Sequence, residues 1–214
     1  MLNRVDIVKA FLDRGLLINP SLLDDEPSVA SPQPAPAPKI APIPTVYKGY
    51  SFRSRLEARW AVFLDVLGIK WVYEDDGFTL PDGKWYLPDF WLPTFNGGMF
   101  LEVKPEGGFG KEELLKCGLL CELTHKDVWL GEGVPELRVY CFFTFGCAGS
   151  GCPKDVAYLS AGIPSYDAAE GENRMYVEPG FYGEIPKDML YGADLLIDAV
   201  GAARGAKFEH GRRG

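Results

Sequence analysis

Three charged residues lie in strongly apolar segments, where a buried strand would ordinarily carry none. Asp89 lies within residues 85–93, and Glu102 and Lys104 lie within residues 99–104. An unpaired charge is costly to bury, so such residues usually have a compensating partner. Two carboxylates beside one another most naturally hold a divalent cation.

Both apolar segments are predicted to be β-strands, because they are rich in aromatic and aliphatic residues and are separated by a Gly-containing turn at 94–98. Successive side chains of a strand face opposite sides. Glu102 and Lys104 would therefore share one face, and Leu101 and Val103 the other. This pattern predicts that an Asp, a Glu and a Lys converge beside a hydrophobic sheet.

A helix is predicted upstream of these strands. Ser54 followed by Glu57 fits a capping box, and Gly68 marks the helix end. Apolar residues recur at helical spacing at Leu56, Trp60, Phe63, Leu64 and Leu67. Glu57 falls at the edge of this apolar face, so two roles are open: it caps the helix, or it adds a carboxylate to the metal site.

The motifs Pro88-Asp89 and Glu102-Val103-Lys104 resemble the signature of the PD-(D/E)XK nuclease superfamily. The similarity extends over residues 47–134 and is to a group of phage-associated nuclease-like proteins, with a weaker similarity at 203–209. This resemblance implies an α/β fold: a restriction-endonuclease-like core with a mixed central sheet flanked by helices.

The resemblance also implies roles for individual residues. Asp89 and Glu102 would ligate Mg²⁺, with Mn²⁺ as a substitute, and Glu57 would complete the site through a water or a second ion. Lys104 would orient or help deprotonate the attacking water and offset charge in the transition state. The implied function is a metal-dependent endodeoxyribonuclease. The alternative is a catalytically inactive DNA-binding, scaffold or inhibitor protein on the same fold.

Charge is distributed unevenly along the chain. The formal net charge is −8, which fits nucleic-acid binding poorly. Residues 47–71, however, contain five basic and two acidic residues, a local charge of +3. The basic residues proposed to contact DNA are Lys48, Arg53, Arg55 and Arg59. The sequence thus allows a local DNA-binding surface, while the overall acidity favours the inactive alternative.

Four regions are predicted along the chain. Residues 1–26 form an N-terminal helical segment, which either packs on the main domain or docks a protein partner. Residues 27–45 form a Pro/Ala-rich linker, in which seven of the 18 residues 27–44 are Pro. Residues 46–145 form the nuclease-like core, and residues 146–214 form a C-terminal extension ending in a helix at 188–204.

Within the core, strands are predicted at 69–74, 77–80, 127–130 and 137–145. A helix is predicted at 111–125. Its inward-facing residues are expected to be Leu114, Leu115, Leu119 and Leu123.

The chain has no apolar run of membrane-spanning length and no signal-peptide pattern, so no membrane association is expected. The expected location is the cytoplasm of a bacterial or host cell, in phage or mobile-element DNA metabolism. An enzyme that cuts both strands would be expected to act as a homodimer. The five cysteines are expected to be reduced thiols.

Other side chains offer competing chemistry. Cys147 and Cys152 could bind zinc with Cys141, His125 or His210, although their spacing is wider than a usual pair. Cys117 and Cys121 are expected to be small core residues. A Cys-His nucleophilic site has no local signature. The aromatic set Trp85, Tyr86, Phe90 and Trp91 could stack on bases, but aromatic strand residues more often belong to a core.

Overall fold

The computed structural model describes residues 42–136, 140–145, 157–167, 172–177 and 193–208. The predicted N-terminal helical segment and nearly all of the predicted linker lie outside these ranges. So do Cys147, Cys152 and His210, which were the main candidates for a zinc site. The predicted nuclease-like core is described almost completely.

The described residues contain three α-helices and eleven strands. The helices are α1 (Arg55–Val66), α2 (Lys111–Thr124) and α3 (Ala193–Gly205). Strands β1 to β6 are Thr45–Tyr47, Tyr50–Phe52, Val72–Tyr73, Phe78–Thr79, Trp85–Tyr86 and Phe90–Leu92. Strands β7 to β11 are Met99–Lys104, Val128–Glu132, Tyr140–Phe145, Ala157–Asp167 and Glu172–Val177.

Seven of these strands form one mixed sheet in the order β11-β10-β9-β8-β7-β6-β3. Strands β7 and β8 pair in parallel, and α2 is the crossover between them. The other neighbours in this sheet pair antiparallel. Two small hairpins, β1–β2 and β4–β5, lie outside the sheet. The predicted α/β class with a mixed central sheet is confirmed.

Helices α1 and α3 pack together against one face of the sheet. Leu101 and Val103 of β7 share a buried cluster with Trp60 of α1 and with residues of α3. The α3 residues in this cluster are Leu196, Ala199, Val200 and Ala203. The helix of the C-terminal extension therefore completes the core that begins with α1.

Helix α2 covers the opposite face. Of its four predicted inward residues, Leu114 and Leu119 pack against the buried cluster on this face, whereas Leu115 and Leu123 do not. The buried side chains of α2 are Cys117, Leu120 and Cys121, which pack with Phe100, Val128 and Leu130. Leu115 and Leu123 are 37% and 42% exposed. Apolar residues lie on all sides of α2, so periodicity did not specify its buried face. The smaller Cys side chains face the sheet instead.

The apolar segment 85–93 is divided between two sheets. Residues 85–86 form β5 of a hairpin, and residues 90–92 form β6 of the main sheet. Pro88 lies between them and has no N–H with which to continue a ladder. The strand predicted at 69–74 is also shorter, because the amides of Gly68 and Ile69 still bond to carbonyls of α1.

The other boundaries agree more closely with the prediction. Helix α2 spans nearly all of 111–125, and β8 begins and ends slightly later than 127–130. Strand β9 lies within 137–145, and α3 extends one residue past the predicted 188–204, while 137–139 and 188–192 are outside the described residues. In the described ranges of the chain, no helix combines the length and apolarity needed to cross a membrane.

The packing of α3 on α1 predicts opposite effects for two substitutions in α3. Ala203 is fully buried, so Ala203→Leu should lower the free energy of unfolding by about 1–3 kcal/mol through overpacking. A Cβ atom added at Gly201 would meet no atom of the described residues within 4 Å, so Gly201→Ala should raise it by up to about 1 kcal/mol. Urea denaturation measures both. An unchanged stability in Ala203→Leu would contradict the packing of α3.

Candidate functional site

Asp89 and Glu102 are brought side by side by the pairing of β6 with β7. Phe90 pairs with Leu101, so Asp89, immediately before β6, comes opposite Glu102. The Val103 N–H donates to Asp89 Oδ2 at 2.8 Å, and the Asp89 N–H donates to Glu102 Oε2 at 3.4 Å. Both residues are almost completely buried. Backbone donors therefore fix two carboxylates next to each other.

Lys104 supplies a positive charge between these carboxylates. Its ammonium donates to Glu102 and to the Val103 carbonyl oxygen at 3.4 Å, and it lies 3.9 Å from Asp89 Oδ2. Burial lowers the pKa of Lys104, but the negative charges of Glu102 and Asp89 outweigh burial, and the net pKa is raised. Lys104 is therefore a cation at neutral pH, surrounded by three oxygens.

The negative charge of Asp89 is only partly compensated by its neighbours. Burial, followed by the negative charge of Glu102, raises the pKa of Asp89 from 3.8 to about 8. The Lys104 ammonium and the Val103 N–H oppose this shift without cancelling it. Arg53 also contacts Asp89, but its side chain is 56% exposed, so water screens its charge. Asp89 is thus a buried acid that lacks sufficient positive charge nearby.

Glu57 is held by protein groups at both of its oxygens. Oε1 accepts from Ser54 Oγ at 2.7 Å, and Oε2 accepts from Tyr73 OH at 2.5 Å and from the Arg53 N–H at 3.2 Å. Ser54 Oγ in turn accepts from the Glu57 N–H, so the predicted N-terminal cap of α1 is confirmed. Burial and the bond to Glu57 raise the pKa of Tyr73.

Arg53, predicted as a DNA contact, is drawn into the site. Its Nη2 donates to Asp89 Oδ1 at 2.5 Å, and its Nε lies 2.7 Å from Glu74 Oε1. Sequence reasoning missed both Glu74 and Tyr73. In the sequence, neither Glu74 nor Tyr73 belongs to a motif that includes Asp89. The pairing of β3 with β6 brings these residues close to Asp89 in space.

The other three proposed DNA contacts have different surroundings. Lys48 lies 2.9 Å from Asp65 and over the ring of Tyr47. Arg55 is partly exposed at the start of α1. Arg59 is half-buried, and its Nε is buried without a hydrogen-bond partner among the described residues. Of the four basic residues, Arg53 is the one that these contacts place beside Asp89.

The aromatic set divides between core and surface. Phe90 is fully buried, Trp91 packs against Phe100, and the buried Tyr86 hydroxyl lies 3.7 Å from Cys117 Sγ. Trp85, in contrast, is 68% exposed. Core membership therefore accounts for most of the set, and Trp85 is the member with an accessible ring.

The donor chemistry of the site fits Mg²⁺. Among the described residues, no group of three or more His, Cys, Asp and Glu side chains is arranged to hold a metal ion. Glu57 comes from α1 and is engaged by Ser54, Tyr73 and the Arg53 N–H, although its negative charge also acts on Asp89. Mg²⁺, however, is commonly held by one or two carboxylates together with waters and substrate phosphates. Asp89 and Glu102 supply two, and the Val103 carbonyl oxygen lies beside them.

Cys117 and Cys121 do not suggest a metal site. Cys117 and Cys121 are buried free thiols in the core, as predicted. Burial raises the pKa of both thiols, so they remain protonated and poor as ligands or nucleophiles.

No protein-family model and no curated protein matches this chain. The resemblance to the PD-(D/E)XK superfamily stays a prediction that rests on the motif and its setting.

Because Asp89 is a buried acid, we expect the free energy of unfolding to depend on pH in the absence of divalent cations. The folded pKa of Asp89 is above its unfolded value, so the stability that its proton contributes is present below about 4 and lost as pH rises towards about 8. Asp89→Asn should remove this loss. The slopes of the free energy of unfolding against pH for wild type and for Asp89→Asn should differ by at most about 1.4 kcal/mol per pH unit.

Urea denaturation in EDTA across this pH range measures both slopes, and titrating groups remote from Asp89 cancel in the comparison. Parallel curves for the two proteins would show that Asp89 does not bind an extra proton in the folded state.

Proposed function

We propose that this protein is a Mg²⁺-dependent endodeoxyribonuclease with a restriction-endonuclease-like core, acting in phage or mobile-element DNA metabolism. The observation that carries the proposal is the buried pair Asp89 and Glu102 with Lys104 between them. A pair of buried carboxylates with a single close ammonium is an expensive arrangement for a merely structural purpose. It suits a site whose charge balance is completed by a ligand.

The charge balance supports a divalent cation. Six ionisable side chains act on one another at the site, four carboxylates and two cations: Glu57, Glu74, Asp89, Glu102, Arg53 and Lys104. With all of them ionised, this network carries a formal charge of minus two. Asp89 relieves part of the imbalance by holding a proton, which its raised pKa reflects. A bound Mg²⁺ would relieve it completely.

The setting of the pair also supports the proposal. Glu102 and Lys104 lie on the interior strand β7, and Asp89 directly precedes its neighbour β6. Helices cover both faces of the sheet, and α1 precedes these strands in the chain. This order of elements agrees with the core that the motif implies.

The residues of the site have distinct chemical roles under this proposal. Asp89 and Glu102 would hold Mg²⁺, which when bound supplies a Lewis acid that activates water and stabilises the leaving oxygen. Lys104, protonated and close to both carboxylates, would orient the attacking water and offset negative charge on the phosphate. Burial on rigid strands keeps these groups in fixed positions.

A non-catalytic DNA-binding, scaffold or inhibitor protein is the second candidate, and a specific contact favours it. The Arg53 guanidinium already pairs with Asp89, as expected where an organic cation has replaced a metal. The acidic net charge of −8 also suits a protein that binds a partner other than DNA. For this candidate, residues 1–26 are the proposed docking segment for a protein partner.

Cleavage assays separate the two candidates. Supercoiled plasmid, linear duplex and single-stranded DNA are each incubated with Mg²⁺, Mn²⁺ or EDTA. Wild type should cleave at least one substrate when metal is present. Asp89→Asn and Lys104→Ala should each lower the rate by about a hundredfold or more, because the first weakens the hold on Mg²⁺ and the second removes a positive charge beside the reacting phosphate.

Lys70→Ala is the matched control, since Lys70 is an exposed lysine outside the site. Circular dichroism checks the fold of every variant. If wild type cleaves none of the substrates, or if Lys104→Ala cleaves as fast as Lys70→Ala, the nuclease proposal fails. Gel filtration of wild type with and without duplex DNA tests the proposed homodimer.

Glu57→Gln distinguishes the two roles of Glu57. Both of its oxygens already have protein partners, so we expect a structural role: a loss of about 1–3 kcal/mol in the free energy of unfolding. Mn²⁺ affinity, measured by calorimetry, should fall much less than in Glu102→Gln. An equal loss of Mn²⁺ affinity in the two variants would instead identify Glu57 as part of the metal site.

A further inference from the structure

We propose that Arg53 competes with the metal for Asp89, and that a phosphate of the nucleic acid releases Arg53 from this contact. Metal loading and nucleic-acid binding would then be coupled through one side chain. This inference rests on the proposed function, because it assigns a regulatory role at the same site. The contact between Arg53 and Asp89, which favours the inactive candidate, would then be a regulatory contact of an active nuclease.

The contacts of Asp89 place Arg53 in direct competition with a metal. Oδ2 is engaged by the Val103 N–H at 2.8 Å and lies 3.9 Å from Lys104 Nζ. Oδ1 is the oxygen that Arg53 Nη2 occupies, at 2.5 Å. A divalent cation that binds Asp89 through Oδ1 must displace this guanidinium group. Each cation thus weakens the binding of the other.

Arg53 can leave this contact, whereas Asp89 cannot. The Asp89 side chain is 2% exposed, and the backbone carbonyl oxygen of Asp89 accepts a hydrogen bond from the Glu74 N–H at 3.0 Å. The Arg53 side chain is 56% exposed. Its backbone N–H is anchored to Glu57 Oε2 and Tyr73 OH, so its Cα stays beside the site. Movement of the guanidinium therefore needs only a change of side-chain rotamer.

Glu74 holds the other edge of the guanidinium. Arg53 Nε lies 2.7 Å from Glu74 Oε1, so Nε bonds to Glu74 while Nη2 bonds to Asp89. Glu74 has a φ of 47°, in the left-handed region that favours glycine. Such a conformation is retained where the surrounding structure requires it, often at functional sites. Glu74 can thus keep Arg53 near the site after Nη2 leaves Asp89.

A phosphate oxygen is a suitable new partner for Nη2. Guanidinium groups form short, charge-assisted hydrogen bonds with phosphates. When Nη2 turns to a phosphate, Asp89 loses its exposed cation, and a metal restores the charge balance. By linkage, a phosphate that favours metal binding is itself bound more tightly when the metal is present. The site would therefore be loaded most fully in the presence of its substrate.

Calorimetric titration of the full chain with Mn²⁺ tests this inference. The proteins are wild type, Arg53→Gln, Arg53→Lys and Lys70→Gln. Arg53→Gln should bind Mn²⁺ about fivefold or more tightly than wild type, because the competing cation is gone. Arg53→Lys should lie between them, because an ammonium cannot pair with Glu74 and Asp89 through two edges. Lys70→Gln removes the same charge from an exposed position and should match wild type.

A second titration uses a short oligothymidylate with cleavage-resistant phosphorothioate linkages. It should raise the Mn²⁺ affinity of wild type and have little effect on Arg53→Gln. If wild type binds Mn²⁺ and Arg53→Gln binds it no more tightly, the competition is refuted while the proposed nuclease function stands. If the oligonucleotide raises both affinities equally, release by phosphate is refuted. If neither protein binds Mn²⁺, both this inference and the proposed function fail. Arg53→Lys keeps the test decisive if Arg53→Gln does not fold.

Discussion

The repulsion between two buried carboxylates is the constraint on which the rest of this site depends. Backbone hydrogen bonds hold Asp89 and Glu102 next to each other, and both side chains are buried away from water. Two adjacent negative charges in a low-dielectric interior strongly favour a proton or a cation. Two cations supply positive charge beside the pair. Lys104 lies on the same strand as Glu102, and Arg53 reaches Asp89 from the surface.

The architecture around the pair makes this charge arrangement tolerable. Apolar clusters on both faces of the sheet keep β7 rigid, with α1 and α3 on one side and α2 on the other. A rigid strand cannot separate Glu102 from Asp89 to relieve their repulsion. The core therefore holds the acids in a high-energy arrangement that the binding of a ligand can stabilise. This is the property expected of a preorganised site rather than of a packing feature.

The two candidate functions differ in how they interpret Arg53. As a permanent partner of Asp89, Arg53 neutralises a remnant of a catalytic site. As a displaceable partner, it protects the site until a metal and a phosphate arrive together. The exposure of its side chain and the second contact with Glu74 favour the displaceable interpretation. The Arg53–Asp89 contact is thus compatible with both candidate functions, and the affinity of the site for metal decides between the two functions.

The sequence alone determined the local features of this protein. Ser54 and Glu57 marked the start of α1, and the alternation in residues 99–104 placed Glu102 and Lys104 on one face, because these patterns act over a few residues. Only the tertiary structure decided the buried face of α2 and the contacts of Arg53 with Glu74 and Asp89. A helix whose apolar residues are spread around its circumference, as in α2, has no preferred face until it packs. An ion pair between residues far apart in the chain exists only once the sheet has formed.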